Sequence, residues 1–155
     1  MTVYRIVKLK KRTNDLSGAG AFNEGGRWNN EGTFALYTSE NPSLALLEML
    51  VHTDESELPP QMYLLTIEVN DKFPVFKMED KNLPKEWRLP DNIELKDMGD
   101  KMLADLKYIG IKVRSAVLPG QYNYILNPRF PDFYRHVPVI KIEPLDLDKR
   151  FLKKV

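Results

Sequence analysis

Glycine is concentrated in one stretch of this chain: five of its eight glycines lie within residues 17–32, in the run SGAGAFNEGGRWNNEG. Glycine adopts backbone conformations closed to other residues, and it lets the backbone approach a neighbouring group closely. The stretch is therefore predicted to be a loop or an irregular hairpin that follows a first strand over residues 3–7. Any fold of this chain must accommodate a long irregular segment near its beginning.

Short strand patterns and two helices are predicted in the rest of the chain. The strands are predicted over residues 34–38, 63–69, 113–118, 122–126 and 137–142, with a weaker one at 75–76. Asn41 and Pro42 are an N-cap and a first helical residue, so a helix is expected from 42 to about 52. A second helix is expected over residues 98–108, with Gly110 just beyond its end. Because repeating strand–helix–strand units are missing, the order favours an α+β fold with a mixed, largely antiparallel sheet and flanking helices.

Size and composition bound the kind of protein this is. With 155 residues and 43% hydrophobic composition, residues 1–155 fit a single domain. The chain has no cysteine, which excludes disulfides, a thiolate nucleophile and cysteine-ligated metal centres. Its net charge of +1 gives no general affinity for polyanions, so no direct nucleic-acid binding is expected. Since no apolar stretch suits a signal peptide or a membrane span, we expect a cytoplasmic protein without membrane association.

Charge is distributed unevenly along the last two-thirds of the chain. Residues 51–100 hold 6 Lys and Arg against 12 Asp and Glu, whereas residues 101–155 hold 11 against 5. One interpretation is two solvated faces; the other is an acidic insertion or partner-facing loop over residues 71–100. Prolines at positions 74, 84 and 90 favour a long irregular connection in that segment.

Glu48 is an unusual residue for its helix, because it lies on the stripe of Leu44 and Val51, where an apolar side chain is expected. The flanking leucines and methionine make the helix apolar nearly all round, so we expect it to be buried. A buried carboxylate must be paired or neutralised. Glu48 is therefore either a structural ion-pair member, a residue at the one wet edge of the helix, or a carboxylate that acts in an apolar cleft.

Arg27 and Tyr37 are the other two candidates, and both have an alternative structural interpretation. Arg27 follows two glycines and precedes Trp28, a setting suited to binding a phosphate or a carboxylate, or to simple stacking on the indole. It is also the obvious partner or co-worker of Glu48. Tyr37 alternates with Leu36 along a strand, which is equally typical of a half-buried strand tyrosine.

Other kinds of site are not supported by the sequence. The glycine run lacks the Gly-Lys-Ser/Thr of a Walker A motif, and it breaks the dinucleotide-binding G-x-G-x-x-G pattern at its last position. His52 and His136 are the only histidines, so a metal site is not expected and both are interpreted as structural. No G-x-S-x-G nucleophile elbow occurs.

The chain resembles the RES domain family, the toxins of bacterial toxin–antitoxin pairs. The matching stretches are YRI at 4–6, GAGA at 18–21, GGRWN at 25–29, LYTS at 36–39, ALLE at 45–48, SAV at 115–117, NYILNP at 123–128 and PDF at 131–133. They extend over nearly the whole chain. One departure is Phe130, where the resemblance leads us to expect a histidine.

The resemblance implies a fold like that of the ADP-ribosyltransferases, with NAD as substrate and neither a metal nor another cofactor. It implies catalytic roles for Arg27, Tyr37 and Glu48. It also implies that NAD is bound by Arg5, Gly26, Trp28, Ser115 and Asn123. The implied partner is an antitoxin with a helix-turn-helix domain.

The fate of the ADP-ribose is open at this point. Transfer to water or to phosphate would degrade NAD, and this is the outcome we favour. Transfer to a protein would make the chain an ADP-ribosyltransferase. A third possibility, from another class, is a non-catalytic module that binds a nucleotide or another protein.

Overall fold

The computed structural model describes residues 1–152, which form one seven-stranded sheet with four α-helices around it. In chain order the elements are β1 (Thr2–Val7), α1 (Ala19–Glu24), β2 (Leu36–Ser39), α2 (Pro42–Val51), β3 (Gln61–Glu68), β4 (Val75–Lys77), α3 (Ile93–Ala104), β5 (Gly110–Arg114), β6 (Tyr122–Leu126), α4 (Phe133–His136) and β7 (Val139–Asp146). The strand order is β4-β5-β6-β2-β1-β3-β7. Only the β4–β5 pair among these strands is parallel, so the expected α+β class with a mixed, largely antiparallel sheet is confirmed.

Both long helices begin at an asparagine N-cap. The side-chain oxygen of Asn41 accepts a hydrogen bond from the Leu44 amide at 2.8 Å, and Asn92 does the same for the Leu95 amide at 3.1 Å. Each cap satisfies one of the amide groups that a first helical turn leaves unpaired. The first cap is the one expected from Asn41 and Pro42, and it sets the start of the helix that carries Glu48.

Hydrophobic side chains pack on both faces of the sheet, because successive strand residues point to opposite sides. Val3, Leu65 and Leu126 belong to one core cluster, which α4 covers with Phe133. Ile111 and Ile125 belong to the other, which α3 covers. No helix within residues 1–152 is long and apolar enough to cross a membrane.

Four local predictions were wrong. The glycine run contains a short helix, α1, before its turn. The helix α3 covers residues 93–104 instead of 98–108, because the Asn92 cap starts it earlier, and Gly110 is the first residue of β5. The strand expected over 113–118 ends at Arg114, where the chain turns. The segment 71–100 is irregular only in part, since it includes β4 and most of α3.

The helix α2 is less buried than its composition indicated. Leu44 and Ala45 are its buried residues, whereas Val51 is 58% exposed. The helix contacts the sheet mainly through β1 and β2, and residues 46–50 are only partly buried. Glu48 therefore lies at the boundary between the sheet and solvent rather than inside a closed core.

Candidate active site

A cavity of about 500 Å³ opens beside β1 and β2, between α2 and the residues that follow α1. This is within the range of small-molecule binding sites. Seven of the eight predicted site residues line it: Arg5, Gly26, Arg27, Trp28, Tyr37, Glu48 and Asn123. The eighth, Ser115, lies fully buried behind the cavity wall.

Glu48 is held through one carboxylate oxygen. Its Oε1 accepts hydrogen bonds from the Ser115 hydroxyl at 2.7 Å and from the Asn123 amide at 2.6 Å. Its Oε2 has no hydrogen-bond donor among residues 1–152, and Nε2 of His52 lies 4.0 Å from it. The Glu48 side chain is 22% exposed. The carboxylate is thus fixed in orientation and keeps one oxygen available to a ligand.

Ser115 positions Glu48 and does not line the cavity. The family resemblance had implied that Ser115 itself binds NAD. Besides donating to Glu48, its hydroxyl oxygen accepts from the amides of Val117 and Leu118, at 3.1 and 3.0 Å. These contacts hold the turn after β5, which is why the strand ends at Arg114. Ser115 is therefore a rigid donor whose geometry the backbone sets.

Asn123 is oriented by a residue that the sequence analysis missed. The Ser39 hydroxyl donates to Oδ1 of Asn123 at 2.7 Å, which leaves the Asn123 amide to donate to Glu48. Ser39 and Asn123 face each other in the β2–β6 register. The sequence signal was present, because Ser39 follows Tyr37 by two residues and therefore shares its face of the strand.

Arg5 lies where β1 and β2 part. These strands are paired only at Tyr4 and Ser39, and Nη1 of Arg5 donates to the Tyr37 carbonyl at 2.8 Å. Its Nε is buried without a hydrogen-bond partner among the described residues. Burial lowers the pKa of Arg5, an effect that Asp15 opposes, but a guanidinium keeps its charge in a protein. A buried cation of this kind favours an anionic ligand in the cavity.

Tyr37 fastens the glycine turn to the sheet. Its hydroxyl accepts from the Trp28 amide at 2.9 Å and donates to Oδ1 of Asn29 at 2.7 Å. Burial raises the pKa of Tyr37 above its usual value, so the hydroxyl remains a donor. A Cβ on Gly26 would lie 2.5 Å from the Tyr37 hydroxyl oxygen, which is too close. The ring of Tyr37 lines the cavity while its hydroxyl is already engaged.

The same turn is anchored from its other side by α3. Trp28 is 2% exposed and belongs to the core cluster covered by α3. A Cβ on Gly99 would lie 1.8 Å from the Trp28 carbonyl oxygen, so only glycine allows this close approach. The Asn30 amide donates to Asp100 at 3.1 Å. Gly99 and Asp100 were not singled out by sequence because their partners are about seventy residues away.

Asn29 is the central residue of the turn. It is fully buried, and its side-chain amide donates to the carbonyls of Ala21, Asn30 and Thr33. Its side-chain oxygen accepts from Tyr37. The GGRWN stretch is therefore a rigid structure, and it presents Arg27 from a fixed backbone.

Arg27 does not form an ion pair with Glu48, so of the two relations considered, partner and co-worker, direct pairing is absent. Nη1 of Arg27 donates to two backbone carbonyls, those of Trp87 at 3.1 Å and Leu89 at 3.0 Å. It also does not depend on Trp28 for its position, because that indole is buried in the core. Arg27 lines the cavity and forms no salt bridge with a carboxylate among the described residues.

The two histidines differ. His136 packs against Phe73, with ring centroids 4.4 Å apart, and is in the structural position expected of it. Phe130, which replaces the expected histidine, packs in the same core cluster. His52 is instead 69% exposed and lines the cavity one helical turn after Glu48. Within residues 1–152 no three His, Asp or Glu side chains are arranged to hold a metal ion.

Known proteins align with this chain over most of its length. Residues 2–148 match the family model described as the RES domain. The chain is 33% identical over 154 residues to a Photorhabdus laumondii protein named Toxin Res, which covers 99% of this chain and 98% of that protein. It is 32% identical over 143 residues to a Sphingobium protein named Prs ADP-ribosylating toxin, and the alignment covers 90% of this chain and 88% of that protein.

The fold also has a solved counterpart. A chain in the crystal structure of the M. tuberculosis MbcT–MbcA toxin–antitoxin complex superposes with a TM-score of 0.72 at 20% sequence identity. The superposition covers 94% of this chain and 84% of that chain. The fold described above therefore occurs in another protein of known structure.

Proposed function

The chain belongs to the RES domain family, and from this premise we propose that it is the toxin of a toxin–antitoxin pair and cleaves the nicotinamide–ribose bond of NAD. Relatives that align with nearly the whole chain are named as toxins, which supports the first part. The second part depends on the chemistry of the cavity. The observation that carries it is the Glu48 carboxylate, which is held at one oxygen and free at the other.

Glu48 suits the cleavage because positive charge develops on the ribose as nicotinamide leaves. A carboxylate stabilises such an oxocarbenium-like transition state, as in glycoside hydrolysis. Ser115 and Asn123 orient the carboxylate before the reaction, so little reorganisation is needed when the charge appears. Stabilisation that grows during the reaction raises the rate instead of only tightening binding. The free Oε2 can also accept a hydrogen bond from a ribose hydroxyl.

The cations and the tyrosine would bind the rest of NAD. Arg5 and Arg27 both line the cavity, and neither forms a salt bridge with a carboxylate among the described residues, which suits the diphosphate. The Tyr37 ring offers a flat surface for stacking of nicotinamide. Its hydroxyl is committed to Trp28 and Asn29, so we assign it no proton transfer.

The acceptor of the ADP-ribose defines two versions of the proposal. We favour transfer to water or phosphate, which degrades NAD and inhibits growth by depletion. The alternative is transfer to a host protein, which the name of the Sphingobium relative favours. The proposed partner is an antitoxin with a helix-turn-helix domain, which would silence the toxin by covering the cavity.

The test is an NAD turnover assay with product identification. Purified protein freed of antitoxin is incubated with NAD, with and without phosphate, and with extract proteins. We expect release of nicotinamide, and the mass of the other product separates hydrolysis from phosphorolysis. Transfer of label from adenine-labelled NAD to protein would identify the transferase. Intact NAD under all these conditions would refute the proposed activity.

A further inference from the structure

The irregular residues 84–89, called the 84–89 segment below, contact both halves of the cavity wall. The carbonyls of Trp87 and Leu89 accept from Nη1 of Arg27, on the side of the glycine turn. The Nε of Arg88 donates to the Ala116 carbonyl at 3.0 Å. Ala116 directly follows Ser115, the donor to Glu48. One short segment therefore connects the backbone around Arg27 to the turn that holds Glu48.

The segment is itself well supported. Its turn is closed by hydrogen bonds from the Trp87 amide to the Pro84 carbonyl and from the Leu89 amide to the Glu86 carbonyl, at 3.1 and 3.0 Å. The Trp87 side chain packs against the core cluster covered by α3. Proline at position 84 restricts the backbone where the segment begins. The carbonyls that meet Arg27 are thus held in fixed positions.

Carbonyl partners have a particular consequence for Arg27. Each carbonyl is neutral, so the pair orients the guanidinium and leaves its positive charge in place. A carboxylate partner would cancel that charge. Both N–H groups of Nη1 are used by Trp87 and Leu89. Nε and Nη2 have no hydrogen bond within residues 1–152, and this edge of a guanidinium can bind two oxygens of one phosphate or carboxylate.

We infer that the 84–89 segment is a positioning element. It orients Arg27 for the diphosphate of NAD and, through Arg88, fixes the position of Arg27 relative to Glu48. This assigns a role to part of the acidic region 71–100. The inference rests on the proposed function, because it names the group that Arg27 binds. Arg88 acts through other residues and does not itself line the cavity.

The test replaces Arg88, whose side chain is exposed, so that folding is preserved. Arg88→Ala removes the contact with Ala116. Lys85→Ala is the matched control, because Lys85 lies exposed in the same segment, carries the same charge and makes no hydrogen bond among the described residues. Loss of the hydrogen bond from Arg88 to the Ala116 carbonyl should raise the KM for NAD about fivefold, equivalent to about 1 kcal/mol. The kcat should change by less than about twofold, since Glu48 keeps both of its donors.

Two further measurements separate positioning from a general structural role. The affinity for ADP-ribose, followed through the fluorescence of Trp28 and Trp87, should weaken about fivefold in Arg88→Ala and remain unchanged in Lys85→Ala. In an Arg27→Ala background, Arg88→Ala should have no further effect, because its action passes through Arg27. Arg88→Lys, which retains a donor, should restore part of the affinity.

The outcomes distinguish this inference from the proposed function. If Arg88→Ala matches Lys85→Ala in both KM and ADP-ribose affinity, or adds its full effect to Arg27→Ala, the positioning role is overturned. If wild-type protein binds NAD and ADP-ribose without cleaving NAD, the proposed reaction fails while the binding measurements still decide the role of the segment. Absence of binding by the wild type would refute both.

Discussion

Replacing Glu48 by glutamine removes the charge of the carboxylate and leaves its geometry almost unchanged. The glutamine carbonyl can take the place of Oε1 and accept the hydrogen bonds of Ser115 and Asn123. Its amide then replaces Oε2, which has no donor to lose within residues 1–152. The variant therefore tests the charge of the carboxylate separately from the structure around it.

The expected magnitudes follow from these contacts. Removing a single preorganised electrostatic contact typically lowers kcat by about 100-fold or more, which is about 2.7 kcal/mol. For stability, two charge-assisted hydrogen bonds become neutral ones, at a cost of about 1 kcal/mol each. For a domain of this size that lowers the melting temperature by no more than about 4–8 °C. Glu48→Ala should be less stable than Glu48→Gln, because it leaves Ser115 and Asn123 without an acceptor.

The assay is release of nicotinamide from NAD by wild type and Glu48→Gln at equal concentration, with melting curves of both proteins. We expect Glu48→Gln to be folded and to have lost at least about 100-fold in kcat. A folded Glu48→Gln variant within tenfold of the wild-type rate would refute the assignment of charge stabilisation to Glu48. Comparison with Glu48→Ala shows whether a loss of activity comes from charge or from a collapsed site.

Other substitutions test the support of the glycine turn. Tyr37→Phe leaves the Trp28 amide and the Asn29 side chain without their partner, so we expect a loss of about 1–3 kcal/mol in the free energy of unfolding, measured by urea denaturation. Because burial raises the pKa of Tyr37, the tyrosine loses its proton at a lower pH in the unfolded state than in the folded state. Wild-type stability should therefore fall as pH rises above about 10. Tyr37→Phe should lack this part of the pH dependence. Gly99→Ala places a Cβ against the Trp28 carbonyl and should lower the melting temperature by more than about 6 °C, whereas Gly20→Ala, where a Cβ meets nothing within 4 Å, should not lower it. An unchanged melting temperature in Gly99→Ala would contradict the close packing of α3 on the turn.

Much of the fold could be predicted from the sequence because its signals are local. Asn41 and Pro42 mark the start of α2, and alternating apolar residues mark β3 and β6. The bounds of α3 and β5 were less predictable. The start of α3 depends on a cap that follows a stretch without periodicity. The end of β5 depends on a turn in which the Ser115 hydroxyl accepts from the Val117 and Leu118 amides, a contact that strand alternation does not indicate.

The residues that line the cavity could largely be predicted from the sequence, but their hydrogen-bond partners could be predicted only in part. Arg27, Tyr37 and Glu48 line one cavity, as the family resemblance implied. Whether Arg27 is the direct partner of Glu48 could not be predicted, and the two residues bind other partners. Sequence alone gives no means of choosing between a carboxylate and two backbone carbonyls as the partner of an arginine.

The amino-acid sequence by itself determined which groups this protein can use: an arginine after two glycines, a strand tyrosine and a carboxylate on an apolar helix. Tertiary structure decided what each group does. Ser115 and Asn123 are 67 and 75 residues from Glu48, and the Trp87 carbonyl is 60 residues from Arg27. Contacts at these separations depend on the strand order β5-β6-β2-β1 and on the close packing of α3 against the glycine turn. Local propensity carries no information about either, because both arise only when distant segments pack together.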